Sequence, residues 1–164
     1  MACDVFLSYT RVKDFRGTVA DFCVHLQREL QKKTGRDDLR IFLDTTYIPP
    51  GAIWSKTLEA ELASARMLMI LLSPTWIRSE WCRREYQVFL QQSHDTGVER
   101  LVVPVLWDEV SAADCKTSEQ RQLLAEIQAH QTVKWGELQY ETWASESLRK
   151  AISRLAVKLK PALV

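Results

Sequence analysis

The chain has 164 residues, is 46% hydrophobic, and carries 22 Lys plus Arg against 21 Asp plus Glu. Such a length suits one domain over residues 1–164 built on one sizeable core. The near-neutral balance, with no basic block or basic helix, gives nucleic acid or an anionic membrane no support as a partner.

"MACDVFLSY" lacks a basic region followed by a long apolar run, and no stretch approaches the roughly 20 apolar residues of a membrane span. A soluble, cytoplasmic chain is expected. Its first strand is "DVFLSY", residues 4–9, followed by the polar "TRVKDFRG". In "TVADFCVHLQREL" the residues Val19, Phe22, Cys23, Leu26 and Leu30 share one helical stripe, with Thr18 and Asp21 resembling a capping box at its start. "LRIFLD" (39–44) reads as a second strand, ended by "TTYIPPGA", whose Pro49, Pro50 and Gly51 stop regular structure. A second helix is expected from about Trp54 to Ala65.

"MLMILLS" (67–73) is apolar almost throughout, as in a strand covered on both faces of a parallel sheet. Past "PTWIR", Ser79 is placed to cap a third helix whose stripe Cys82, Tyr86, Phe89 and Leu90 faces inward. "LVVPVLW" (101–107) is a fourth strand in which Pro104 lacks a ladder donor and argues for a weakly paired side. "QTVKW" (131–135) reads as a short fifth strand, and Leu148, Ile152, Leu155 and Leu159 mark a closing helix. This alternation predicts an α/β fold: a flavodoxin-like three-layer sandwich around a five-stranded parallel sheet of order 2-1-3-4-5.

Ligands in such sheets bind beyond the carboxyl ends of the strands. That rule nominates Tyr9 to Arg11, Asp44 to Gly51, Ser73 to Trp76, and the start of the third helix. There, "SEWCRREYQVF" sets Trp81 and Glu85 one turn apart on one face, at the margin of the core. Taken alone, a helix glutamate is more often solvated and inert than functional. Several enzyme classes are excluded. There are only five glycines and no GxGxxG or Walker loop, no GxSxG elbow, and no acidic cluster after the first strand, which ends in "SYTR". His25, His94 and His130 read as solvated histidines.

"DVFLSYTRVKDFRG" resembles box one of the Toll/interleukin-1 receptor (TIR) domain family. "RIFLDTTYIPPGAIWSKTLEAEL" resembles its strand B, BB loop and helix B. "SARMLMILLSPTWIRSEWCRREYQVF" is similar to strand C and helix C, and "VVPVLWDEV" to strand D. The motifs occur in order across nearly the whole chain, and "WCRRE" resembles the members that cleave NAD+. The resemblance implies hydrolysis of the nicotinamide–ribose bond, to ADP-ribose or a cyclic isomer, in immune defence or cell-death signalling.

In that family pattern Glu85 is the catalytic residue. Tyr9, Thr10, Arg11, Asp44, Gly51, Ser73, Trp76 and Trp81 then border or contact the substrate, Arg11 as a phosphate partner. No metal or cofactor is implied, since NAD+ is the substrate. The implied partners are other TIR domains, through homotypic assembly, and a separate sensor protein or sensor domain. Thr10-Arg11 departs from the family's common basic pair, and Pro49-Pro50 stiffens the BB loop. Two other readings stay open: a TIR–TIR scaffold without turnover, and a nucleoside N-glycosidase or deoxyribosyltransferase on a similar sheet.

Overall fold

The computed structural model describes residues 2–10, 17–43 and 54–164. Its five strands are β1 (Val5–Ser8), β2 (Ile41–Leu43), β3 (Met67–Leu72), β4 (Leu101–Leu106) and β5 (Val133–Lys134). All pair in parallel in the order β2-β1-β3-β4-β5, as the alternation of elements predicts. The helices are α1 (Thr18–Thr34), α2 (Lys56–Ser64), α3 (Pro74–Arg78), α4 (Glu80–Thr96), α5 (Ser118–Gln128) and α6 (Glu146–Leu163).

Side chains alternate across the sheet because strand residues point to opposite faces. Val5, Leu7, Met67, Met69, Leu71, Val103 and Val105 join α1 and α6 in one apolar cluster. Phe6, Leu68, Ile70, Leu72 and Val102 join α2 to α5 in the other. The next residue on the Phe6 face of β1 is Ser8, and it too is buried. A polar group therefore ends the strand inside an apolar layer.

Several boundaries differ from the sequence pattern. Gly17, at φ 67°, is the N-cap of α1, so Thr18 is the first helical residue rather than the cap. Ser55 caps α2 by accepting from the Leu58 amide, which starts that helix after Trp54 rather than on it. "PTWIR" forms the short α3, with Ser73 as cap and Pro74 at its first position; Ser79 then ends it and caps α4. Gly97, at φ 67°, closes α4 in the left-handed conformation that glycine adopts without steric cost.

Leu90 is 39% exposed, outside the stripe expected of it, because the buried face of α4 is Cys82, Glu85, Tyr86 and Phe89. Pro104 sits inside the sheet, paired across from Ile70. The amides of Leu101 and Trp107 face β3 and the Leu106 carbonyl faces β5, so by alternation Pro104 turns toward β5. Pairing with β5 starts only at Val105, which is the weak side the missing donor calls for. His25 is half-buried and stacks on Trp143 at 3.9 Å, which corrects the solvated reading; His130 is also half-buried, and His94 is exposed.

The amino-terminal end of the sheet is clamped by ions. Arg100 donates to the carbonyls of Leu62 and Ala65 (both 2.8 Å) and Phe89 (2.7 Å), and to Ser93 Oγ (2.7 Å). Arg40 meets both oxygens of Glu61 at 2.8 and 2.7 Å. Replacing Arg100 with Ala strands carbonyls at the end of α2, so a loss of about 2–4 kcal/mol in urea unfolding is expected. Arg100→Lys should recover less than half, since an ammonium cannot reproduce the planar fork.

All four cysteines are buried and free. Burial pushes the Cys3 thiol up to about 12 and the Cys23 thiol up to about 11. At pH 8 the native chain should react with a disulfide reagent for less than about one equivalent in the time the urea-unfolded chain yields all its thiols.

Candidate active site

The candidate site lies at the carboxyl ends of β1 and β3, the adjacent strands at the middle of the sheet. Glu85 enters it from α4. With a relative exposure of 3% it belongs to the buried stripe rather than to its margin. Spacing explains this, since 82, 85, 86 and 89 follow the i, i+3, i+4, i+7 pattern of a single helical face. Ser8 Oγ, from the end of β1, lies 2.8 Å from Glu85 Oε1. Trp76 Nε1, from α3, lies 3.0 Å from the same Ser8 oxygen. Three buried polar side chains thus meet within one apolar cluster.

A second set of hydroxyls lies at the same strand ends. Thr10 Oγ1 is 2.8 Å from Thr75 Oγ1, which is 3.0 Å from Ser73 Oγ. Ser73 also accepts from the Trp76 amide as cap of α3. These contacts tie the segment after β1 to the segment after β3. The Cys82 thiol ties the segment after β1 to α4 as well, reaching the Tyr9 carbonyl at 3.6 Å.

Sequence-nominated residues fall into distinct places. Thr10 and Ser73 meet through Thr75, and Glu85 lies behind them on α4. The Tyr9 ring packs against the α1 and α6 cluster, on the opposite sheet face from Glu85. Trp76 is 0% exposed, so its ring presents no surface for stacking on a ligand. Trp81 is half-buried and packs on Trp54 with ring centroids 4.9 Å apart, and Arg84 lies 4.7 Å over the Trp54 ring. Arg11, Asp44 and Gly51 lie outside the described residues.

One residue of the site, Ser8, was not nominated. Ser8 carries a signal that spacing alone contains, a polar side chain at the buried position of an otherwise apolar central strand. Thr75 lies inside the nominated stretch Ser73 to Trp76, and the structure adds its bridging place between Thr10 and Ser73. Among the described residues no His/Cys/Asp/Glu group is arranged to hold a metal ion, and no helix is long and apolar enough to cross a membrane. A cavity of about 680 Å³ lies at the other end of the sheet, lined by Arg66, Asp95, Glu99 and Arg100 among others, and holds none of the nominated residues.

A doubly wound parallel sheet with polar side chains gathered at its carboxyl edge defines the chain as an α/β domain of the flavodoxin-like class. More narrowly, residues 5–152 match the family model described as TIR domain, and the chain belongs to the TIR-domain family. It is 26% identical over 113 residues to the NAD(+) hydrolase TirS of Staphylococcus aureus (strain MSSA476), covering 69% of this chain and 36% of TirS. The chain therefore spans little more than a third of that curated relative's length.

Solved structures share the fold at lower identity. The TIR domain heterodimer of RPS4 and RRS1 aligns with a TM-score of 0.56 at 15% identity, covering 99% of each chain. The TIR domains of the activated Roq1 resistosome, which directly recognises the pathogen effector XopQ, align at 0.51 and 22%, covering 94% of this chain and 84% of that one. The TIR domain of the Toll-related receptor TRR-2 from Hydra magnipapillata aligns at 0.52 and 13%, covering 97% and 98%.

The three indoles at the site differ in hydrogen bonding. Trp76 Nε1 is bonded to Ser8, whereas the buried Trp54 Nε1 and Trp81 Nε1 have no partner. Trp54→Phe and Trp81→Phe each remove an orphan donor along with some ring area, so their urea stabilities should stay within about 1 kcal/mol of wild type. Trp76→Phe strips Ser8 of its donor and should cost about 1–2 kcal/mol more than either.

Proposed function

We propose that this TIR domain is an NAD+ glycohydrolase that cleaves the bond between nicotinamide and ribose, with Glu85 as the catalytic residue. The single observation that carries the reading is the Glu85 carboxylate, buried at the carboxyl edge of the sheet and held by the Ser8 hydroxyl. The similarity to the NAD(+) hydrolase TirS supports the same chemistry.

The reaction suits a site with one carboxylate. Glycosidases that expel an alcohol need a second carboxyl group to protonate it. Nicotinamide is a cation in NAD+ and leaves as a neutral base, taking the electron pair of the broken C–N bond. Positive charge then develops on the ribose, where a fixed carboxylate stabilises it more than it stabilises the substrate. Water adding at the anomeric carbon, with loss of a proton, gives ADP-ribose; attack by the adenine ring gives a cyclic product.

On this reading Trp81, backed by Trp54, walls the pocket with apolar surface. Thr10 and Ser73 offer hydroxyls to the substrate. Arg11, Asp44 and Gly51 take the substrate-bordering roles that the family resemblance implies, with Arg11 on phosphate. Activity depends on homotypic association, for which the RPS4–RRS1 heterodimer is the structural parallel, in a defence or cell-death pathway whose trigger comes from a separate sensor.

The test is nicotinamide release from NAD+ across a protein concentration series, with products weighed by mass spectrometry. Wild type should release nicotinamide with a specific activity that rises with concentration. Folded Glu85→Gln, which still accepts from Ser8, should fall by about 10²–10³-fold. Unchanged release by that variant would move the chemistry elsewhere. Silence of wild type at every concentration would leave TIR–TIR association as the activity of the domain.

A further inference from the structure

We propose that Ser8 and Trp76 form a positioning relay for the Glu85 carboxylate, with Trp76 setting the direction of the Ser8 hydroxyl and Ser8 holding Glu85 Oε1. The inference rests on the reading of Glu85 as the reacting carboxylate. Neither residue touches substrate; both act through Glu85.

The direction of the chain follows from donor chemistry. An indole Nε1–H can only donate, so at 3.0 Å it gives its hydrogen to Ser8 Oγ. A serine hydroxyl has one hydrogen, and with the Trp76 hydrogen on its lone pair that hydrogen goes to Glu85 Oε1 at 2.8 Å. The relay therefore runs Trp76 to Ser8 to Glu85, and its final link ends on a carboxyl oxygen of Glu85. Donors polarised in sequence strengthen one another where solvent is excluded, and Ser8 and Trp76 are 1% and 0% exposed.

The supports are rigid. Ser8 is in register with Ile70 of β3, next to the central strand pair, and the Trp76 ring is held in the cluster of Phe6, Ile70, Leu72 and Phe89. A site carried on regular elements holds its geometry more closely than one carried on loops. Folding does not require the trio, because a buried polar network can be replaced by apolar side chains of similar volume at little cost. What the trio adds is a carboxylate with one oxygen fixed in place, ahead of the charge that develops beside it.

The test uses the full chain and four variants: Ser8→Ala, Ser8→Cys, Trp76→Phe and the Ser8→Ala/Trp76→Phe double. Nicotinamide release and urea unfolding are measured on each. Ser8→Ala should lower kcat by about 10- to 100-fold with KM within about twofold. Ser8→Cys, similar in volume but a weak donor, should fall between it and wild type. Trp76→Phe should lower kcat less than Ser8→Ala, and the double variant should be no slower than Ser8→Ala, because Trp76 acts only through Ser8.

A folded Ser8→Ala with wild-type kcat, or single effects that multiply in the double variant, would overturn the relay while leaving the glycohydrolase intact. Crystal structures of Ser8→Ala and Ser8→Cys read the positioning without turnover. A Glu85 carboxylate displaced or split between rotamers is the expected result, and an unmoved carboxylate overturns the relay. If wild type releases no nicotinamide, the functional reading falls and this structural comparison alone decides the relay. Should Ser8→Ala fail to fold, Ser8→Cys and Trp76→Phe carry the same two readouts.

Discussion

A carboxylate inside an apolar layer must be hydrogen-bonded, and the bond between Ser8 and Glu85 is the one on which the organisation of this site depends. It links the end of a central strand to the buried face of α4, so neither element can shift register without stranding a buried polar group. Trp76 adds a further condition. Its indole reaches Ser8 only because α3 is a single short helix between two capping serines, Ser73 and Ser79. The sequence "SPTWIRS" is thus a spacer that delivers one indole to one hydroxyl.

The two ends of the sheet divide the work of the molecule. At the amino-terminal end the half-buried cation Arg100 consumes carbonyls of α2 and α4, Arg40 pairs with Glu61, and Arg36 meets Asp4 at 2.9 Å. Those groups satisfy one another and tie helices to strands. Among the described residues the carboxyl end holds uncharged hydroxyls, the buried Glu85 carboxylate, and two buried indole donors without partners. Glu29 Oε2 on α1 and Gln92 Oε1 on α4 are also buried without a partner, so unsatisfied groups are not confined to this edge; what distinguishes it is the pair of indole donors beside the buried Glu85.

The sheet was legible because its strands are covered on both faces. "MLMILL" and "VFL" are apolar at consecutive positions, which only a buried strand or helix tolerates, and their length and spacing settle the choice. Helix α5 was not legible, since it buries only Leu123, Leu124 and Ile127 among its 11 residues and its pattern is mostly polar. The burial of Glu85 was misjudged for a related reason. A stripe drawn through Cys82, Tyr86, Phe89 and Leu90 fits four apolar residues, while the face that turns inward exchanges Leu90 for Glu85. Hydrophobic periodicity finds a face from its apolar members and places a polar member beside it by default. Trp76 was nominated for stacking on the strength of its ring, whereas its nitrogen carries the structural information. Tyr9 was nominated through its neighbours in sequence, and strand alternation turns its ring to the other sheet face.

That misjudgement bears on how one carboxylate can serve a glycosidic bond. An exposed glutamate surrounded by water reorients as charge develops nearby, and the solvent screens most of its effect. A glutamate sealed in an apolar cluster, with its oxygen assigned to a hydroxyl on a central strand, has already met the cost of orientation during folding. The leaving group supplies the other half of the economy, because a cationic base departs without a proton. The acid that an ordinary glycosidase keeps on a second carboxyl group has no task here. A small chain with one carboxylate at the reacting bond is then sufficient in chemical terms, provided that the carboxylate does not move. Holding it still is what the short helix, the strand end and the indole between them accomplish.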